Sequence, residues 1–86
     1  MYNRDVVKVN VLNPKVLELF FEDGTMGVIN IEEIVGEFNN IFEPLLDPVY
    51  FSMVKVDPIL GTIVWPNGAD ICPDVLYAKV NGLEIV

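Results

Sequence analysis

From Val6 to Leu12 the chain alternates, with Val7, Val9 and Val11 on one side and Lys8 and Asn10 on the other. That period of two marks a half-buried strand. Asn13-Pro14-Lys15 interrupts it as a turn. Val16 to Glu22 alternates again, placing Leu17, Leu19 and Phe21 inward and Glu18, Phe20 and Glu22 outward. Asp23-Gly24 then signals a hairpin, because glycine takes positive φ at no steric cost. Thr25 to Ile31 follows as a third strand with Ile29 and Ile31 on its core side. Three strands joined by two tight turns predict an antiparallel meander.

The second half of the chain changes rhythm. Asn30-Ile31-Glu32-Glu33 has the form of a capping box, Asn30 accepting from the first turn and Glu33 reaching back. The helix it starts stops near Gly36. Phe38, Ile41 and Phe42 read as apolar anchors in an irregular stretch. Asp47-Pro48 starts a second short helix, with a carboxylate cap and a proline at the first helical position. Val54-Lys55-Val56 reads as a fourth strand. Gly61–Trp65 and Ala69–Ile71 flank a Pro66-Asn67-Gly68 turn and supply a fifth and a sixth. Pro73 opens a last helix that runs to about Val80 and ends at Asn81-Gly82. The expected fold class is α+β. It comprises one small domain over residues 1–86, with an antiparallel three-stranded meander, short helices, a second set of strands ending in the Trp-Pro-Asn-Gly hairpin, and a C-terminal helix.

Composition sharpens this picture. Hydrophobic residues make up 52% of the 86, including five Phe, three Tyr and one Trp, and the mean hydropathy is +0.45. A chain so short buries only about 60% of its unfolded surface. Such apolar content therefore implies either a dense core or a surface that a partner covers. An antiparallel sheet also leaves an edge and a face to be covered, so a homodimer or heteromer is expected. No apolar run approaches the roughly 20 residues of a membrane span. Met1-Tyr2-Asn3-Arg4-Asp5 lacks the pattern of a signal peptide, and the single cysteine, Cys72, fits a reducing compartment. A cytoplasmic location is expected.

Charge excludes one class of partner and suggests another. Thirteen acidic residues against five basic ones give −8. Arg4, Lys8, Lys15, Lys55 and Lys79 are scattered, so direct nucleic-acid binding, which needs cations on phosphates, is not expected. The acidic stretch Glu32, Glu33, Glu37 and Glu43 is either a solvated face or a docking surface for a basic protein.

Candidate chemistry is thin. The chain has no histidine, its one serine is Ser52, and Cys72 has no base beside it. No enzyme activity and no cofactor are expected. Cys72, between Ile71 and Pro73, reads as a small buried hydrophobe. Asn67, Asp70 and Asp74 present oxygens that could hold Ca²⁺ or Mg²⁺, but their spacing matches no metal loop. Hairpin closure by Asp70 and helix-dipole complementation by Asp74 account for them better. Trp65 is either a recognition platform or a core indole pinning the hairpin to the last helix through Leu76 or Tyr77; the core reading explains its neighbours without a ligand.

Trp65-Pro66-Asn67-Gly68-Ala69-Asp70, with Pro73-Asp74 and Leu76-Tyr77 behind it, resembles the bacterial domain of unknown function 2442 family. Phe21-Glu22-Asp23-Gly24 matches that family's Phe-x-Asp-Gly turn, Asn30-Ile31 stands where it often has Asp-Leu, and Leu45-Leu46-Asp47 and Phe51 match its middle segment. The resemblance implies a small α+β fold, found alone or ahead of a helix-turn-helix domain. It also implies a gene set beside another small gene, in what looks like a toxin–antitoxin pair. The expected function is a non-enzymatic interaction module, the antitoxin-like or regulatory member of such a pair. Candidate partner-binding residues are Glu32, Glu33, Glu37 and Trp65, and the candidate partner is a basic neighbouring gene product or a second copy. The alternative is a small-ligand or metal-responsive domain using the Trp65–Asp74 region.

Overall fold

Strands β1 (Val6–Asn13), β2 (Val16–Phe21) and β3 (Met26–Asn30) pair antiparallel in the order β1-β2-β3, in a computed structural model that describes residues 5–82. The expected meander is present. Gly24, at φ 91°, donates its N–H to the Phe21 carbonyl at 3.0 Å, and Asp23 Oδ1 accepts from the Thr25 N–H at 2.9 Å. Leu17, Leu19 and Phe21 point inward from β2 and meet Ile29 and Ile31, all of them buried.

β1 departs from its expected face. Val7 is 54% exposed and Val6 is buried in its place. The register passes from Val6↔Phe21 directly to Lys8↔Phe20, so Val7 is the extra residue of a β-bulge. One inserted residue reverses the alternation behind it. Beyond the bulge Val9 faces Leu19 and is half-buried, whereas Val11, opposite Leu17, lies at the exposed rim.

Helix α1 (Glu32–Val35) leaves β3 as expected, and Gly36, at φ 76°, ends it. Asn30 Oδ1 accepts from the Glu32 N–H at 2.9 Å, but Ile31 occupies the cap position. Glu33 does not close the box; its carboxylate meets Lys79 at 2.9 Å. The following stretch is more regular than expected, a 3₁₀ segment over Asn40–Leu46. Three residues per turn align Phe42 with Leu45 on the inner side. Leu45 is buried, and Ile41, expected as an anchor, is 45% exposed. Helix α2 (Pro48–Phe51) begins at Asp47, whose Oδ1 accepts from the Val49 N–H at 2.9 Å.

β4 (Lys55–Asp57) and β5 (Thr62–Val64) form a second antiparallel sheet. The expected sixth strand shrinks to a single bridge, Val64↔Asp70, beside a Trp65 N–H to Ala69 carbonyl bond of 2.9 Å. Its ladder stops for a physical reason. The Thr62 hydroxyl takes the Ile71 carbonyl at 2.6 Å, and Pro73, two residues on, has no N–H to donate. Helix α3 (Pro73–Val80) has the expected bounds.

All of these elements gather on one face of the meander. Leu45, Phe51, Ile63, Trp65, Ala69, Ile71 and Leu76 join its inward side chains in one cluster. α3 comes close because β3 carries glycine where the two meet: a Cβ on Gly27 would lie 2.5 Å from Val80 Cγ1. Tyr77 packs edge-on against Phe21 with ring centres 5.2 Å apart, and its hydroxyl donates to Asp23 Oδ2 at 2.6 Å. This bond, with the Thr25 N–H, holds the Asp23 carboxyl below its ordinary value of 3.8.

Candidate functional site

The tryptophan hairpin is spent on structure. Trp65 is 1% exposed, its ring lies 5.8 Å from that of Phe51, and its Nε1 donates to the Phe51 carbonyl at 3.0 Å. An indole with its ring buried and its one donor satisfied has nothing to show a partner. The recognition-platform reading of Trp65 is therefore corrected to core. Its ring contact is with α2, an element that the expected contact with Leu76 or Tyr77 left out. Asn67 is equally committed: its Nδ2 donates to the Ile41 carbonyl at 2.8 Å, and its Oδ1 accepts from the Ala69 N–H at 3.0 Å. Its backbone N–H donates to the Tyr50 hydroxyl at 2.8 Å. The oxygen proposed for a cation thus closes the hairpin.

Cys72 is exposed, contrary to expectation. It occupies the cap position of α3, where the chain turns outward between buried Ile71 and half-buried Pro73. Apolar neighbours in sequence do not bury a residue at such a corner. Ser52 lies at the end of α2 and donates to the Val49 carbonyl at 2.7 Å. Asp70 and Asp74 are exposed, the former in the hairpin bridge and the latter in the first turn of α3.

The acidic stretch is exposed but only partly unbalanced. Glu32 and Glu33 stand on α1, Glu37 just beyond Gly36, and Glu43 in the 3₁₀ segment. Lys15 reaches Glu32 at 3.5 Å and Lys79 reaches Glu33 at 2.9 Å. Glu37 accepts from Asn39 Nδ2 at 3.2 Å. Exposed pairs of this kind contribute about 0–1 kcal/mol to stability. Their larger effect is to cancel two of the charges that a basic partner would meet.

The surface that stands out is the open face of the meander. Cross-strand pairing lines up Lys8, Phe20 and Met26 in one row and Asn10, Glu18 and Val28 in the next. Lys8 Nζ lies 5.3 Å from the centre of the Phe20 ring, and Asn10 Nδ2 donates to Glu18 Oε1 at 3.1 Å. Polar groups on the β1 side therefore satisfy one another. On the β3 side Met26 is 54% and Val28 57% exposed, beside Phe20. The signal for this patch was present in the alternation. Placing Ile29 and Ile31 inward puts Met26 and Val28 outward, and Phe20 already faced out.

The family model described as "protein of unknown function (DUF2442)" matches residues 6–82. The chain belongs to the DUF2442 family. No curated protein and no solved structure matches it. In this DUF2442 chain the matched span includes the Trp65 hairpin, the acidic stretch and the open sheet face. A cleft of about 270 Å³ opens where Asp5 and Glu22 flank Val6, Val56 and Pro58. That lies below the roughly 300–1,000 Å³ of pockets that enclose small ligands. Among the described residues of the DUF2442 chain, no three His, Cys, Asp or Glu side chains gather to hold a metal ion. No helix among them is long and apolar enough to cross a membrane.

Proposed function

We propose that this DUF2442 chain is a non-enzymatic protein interaction module, the antitoxin-like or regulatory member of a two-gene pair, working in the cytoplasm. One observation carries the reading: Met26 and Val28 lie exposed beside half-buried Phe20 on a sheet whose other face holds the core. Adjoining apolar side chains kept outward in a small domain mark a surface suited to a partner. The net charge of −8 favours a partner that rims its own apolar patch with basic groups. Glu37, which stands outside the Lys15–Glu32 and Lys79–Glu33 ion pairs, supplies the long-range attraction.

The partner to test is the product of the neighbouring small gene. Purified wild-type chain should bind it with an association rate that falls with salt, since the Debye length drops from ~10 Å at 0.1 M to ~3 Å at 1 M. Glu37→Lys should slow association. Phe20→Ala should weaken affinity about tenfold, equivalent to about 1.4 kcal/mol, while circular dichroism and melting temperature stay near wild type. No complex, or one indifferent to Phe20→Ala, Glu37→Lys and salt alike, sinks the proposal.

A further inference from the structure

Asn-Gly occurs twice in the chain, at Asn67-Gly68 and at Asn81-Gly82. The pair is chemically fragile. Glycine has no Cβ to crowd its backbone nitrogen, so that nitrogen can reach the carbonyl carbon of the asparagine side chain and displace ammonia. Burial does not guard Asn67, because it and Gly68 are both exposed to water. Hydrogen bonding does. The attacking nitrogen would be that of Gly68, and its N–H is turned to the Trp65 carbonyl at 2.9 Å. The group that would leave, Asn67 Nδ2, is drawn to the Ile41 carbonyl at 2.8 Å, and Oδ1 is held by the Ala69 N–H at 3.0 Å. The Tyr50 hydroxyl takes the backbone N–H of Asn67 at 2.8 Å. Nucleophile, electrophile and leaving group are each anchored to a different residue.

We infer that Asn67 is a deamidation site, shut by the native fold and opened when the hairpin parts from α2 and the 3₁₀ segment. Once those contacts separate, the Gly68 nitrogen bonds Asn67 Cγ and gives its proton to water. The Cγ–Nδ2 bond breaks, and Nδ2 leaves as ammonia. Water then opens the cyclic imide at one or the other of its carbonyls. The products are aspartate at position 67, or isoaspartate, in which the chain runs through the side chain. No oxidant or reductant takes part. Neither product has an amide N–H for the Ile41 carbonyl, and each carries a new carboxylate, so a brief opening leaves a lasting mark. Asn81 is the internal comparison. Its Nδ2 reaches its own helix, at the Tyr77 carbonyl (2.8 Å), and the Gly82 N–H meets the Lys79 carbonyl at 3.3 Å. A helix end frays at little cost, whereas Asn67 is freed only when three elements separate. The inference goes beyond the docking reading and does not depend on it, because the hairpin joins the core on the opposite face of the meander.

Peptide mass spectrometry of the full chain, incubated at mildly alkaline pH with and without urea, follows both sites. In urea the two should deamidate at similar rates. In the folded chain Asn81 should react ahead of Asn67, and Asn67 should slow about tenfold or more relative to urea, a ratio set by the free energy of opening. Tyr50→Phe, which removes the acceptor of the Asn67 N–H, should speed the folded-state reaction at Asn67 and leave that at Asn81 unmoved. Asn67→Asp, which reproduces one product, should melt below wild type. The inference is overturned if Asn67 reacts as fast folded as in urea, stays intact in urea, or precedes Asn81 in the folded chain. An Asn67→Asp chain that melts like wild type, or a Tyr50→Phe chain whose Asn67 rate is unchanged, also overturns it.

Discussion

Trp65 shows how one side chain can hold two elements at once. Its ring fills the core beside Phe51, and its Nε1 bonds the carbonyl of that same residue at 3.0 Å, so the hairpin and α2 share an anchor. Trp65→Ala should cost about 3–5 kcal/mol, enough to unfold a marginal small domain. Trp65→Phe keeps much of the packing but strands the Phe51 carbonyl, at about 1–3 kcal/mol. Urea titrations of the two variants should rank them in that order; equal costs would mean that the bond, not the packing, dominates. Asp23 offers a gentler probe. Its folded pKa lies below the ordinary 3.8, first because of Tyr77, so it stabilises the fold above 3.8 and loses that contribution as pH falls below it. Tyr77→Phe should narrow its stability gap from wild type across that acid range, read as melting temperature against pH. Trp65 as core was legible because its hairpin neighbours already enclosed it. Cys72 was not, since a helix cap points by local geometry and not by the polarity of Ile71 and Pro73 beside it.

The elements divide by how locally their causes are written. β2, β3 and α3 follow from alternation, an Asp-Gly turn and a Pro…Asn-Gly frame, all contained within a few residues, and each appears where expected. β1 fails at Val7 because a bulge is a relation between two strands, and neither strand shows it alone. The sixth strand fails similarly, because the Ile71 carbonyl is claimed by Thr62 from nine residues away. The contact of α3 with β3 adds a case that period-2 reasoning cannot see: Gly27 faces inward to make room for Val80. Gly27→Ala should cost about 1–3 kcal/mol through overpacking. Adding Val80→Ala should recover part of that loss, and a double-mutant cycle on thermal unfolding measures the coupling. Strictly additive costs would place the strain elsewhere.

For the molecule as a whole, the inside was more legible than the outside. Burial is dictated by hydrophobic period, so the shared core of meander, hairpin and α3 follows from the pattern. Surface character depends on which chains lie side by side. Lys15 and Lys79 are far from Glu32 and Glu33 in sequence, yet they turn half of an apparent acidic block into ion pairs. The same proximity leaves Phe20, Met26 and Val28 as a neighbourhood that no single strand displays.

The Asn67 contacts have a consequence in time. The meander closes through short turns, whereas Asn67 reaches Tyr50 and Ile41 across 17 and 26 residues. Neighbouring hairpins form within about 1–10 μs, and contacts that close longer loops come later because more chain entropy is lost before they form. The Asn67 bonds should therefore be absent at the folding barrier and act as a latch fastened after it. Asn67→Ala, removing about 1 kcal/mol, should leave the refolding arm of a chevron unmoved and raise the unfolding rate about fivefold. A slowed refolding arm would instead place the hairpin in the nucleus. With the latch working as described, the native lifetime of this small acidic domain is set by a turn far from the sheet that starts its folding.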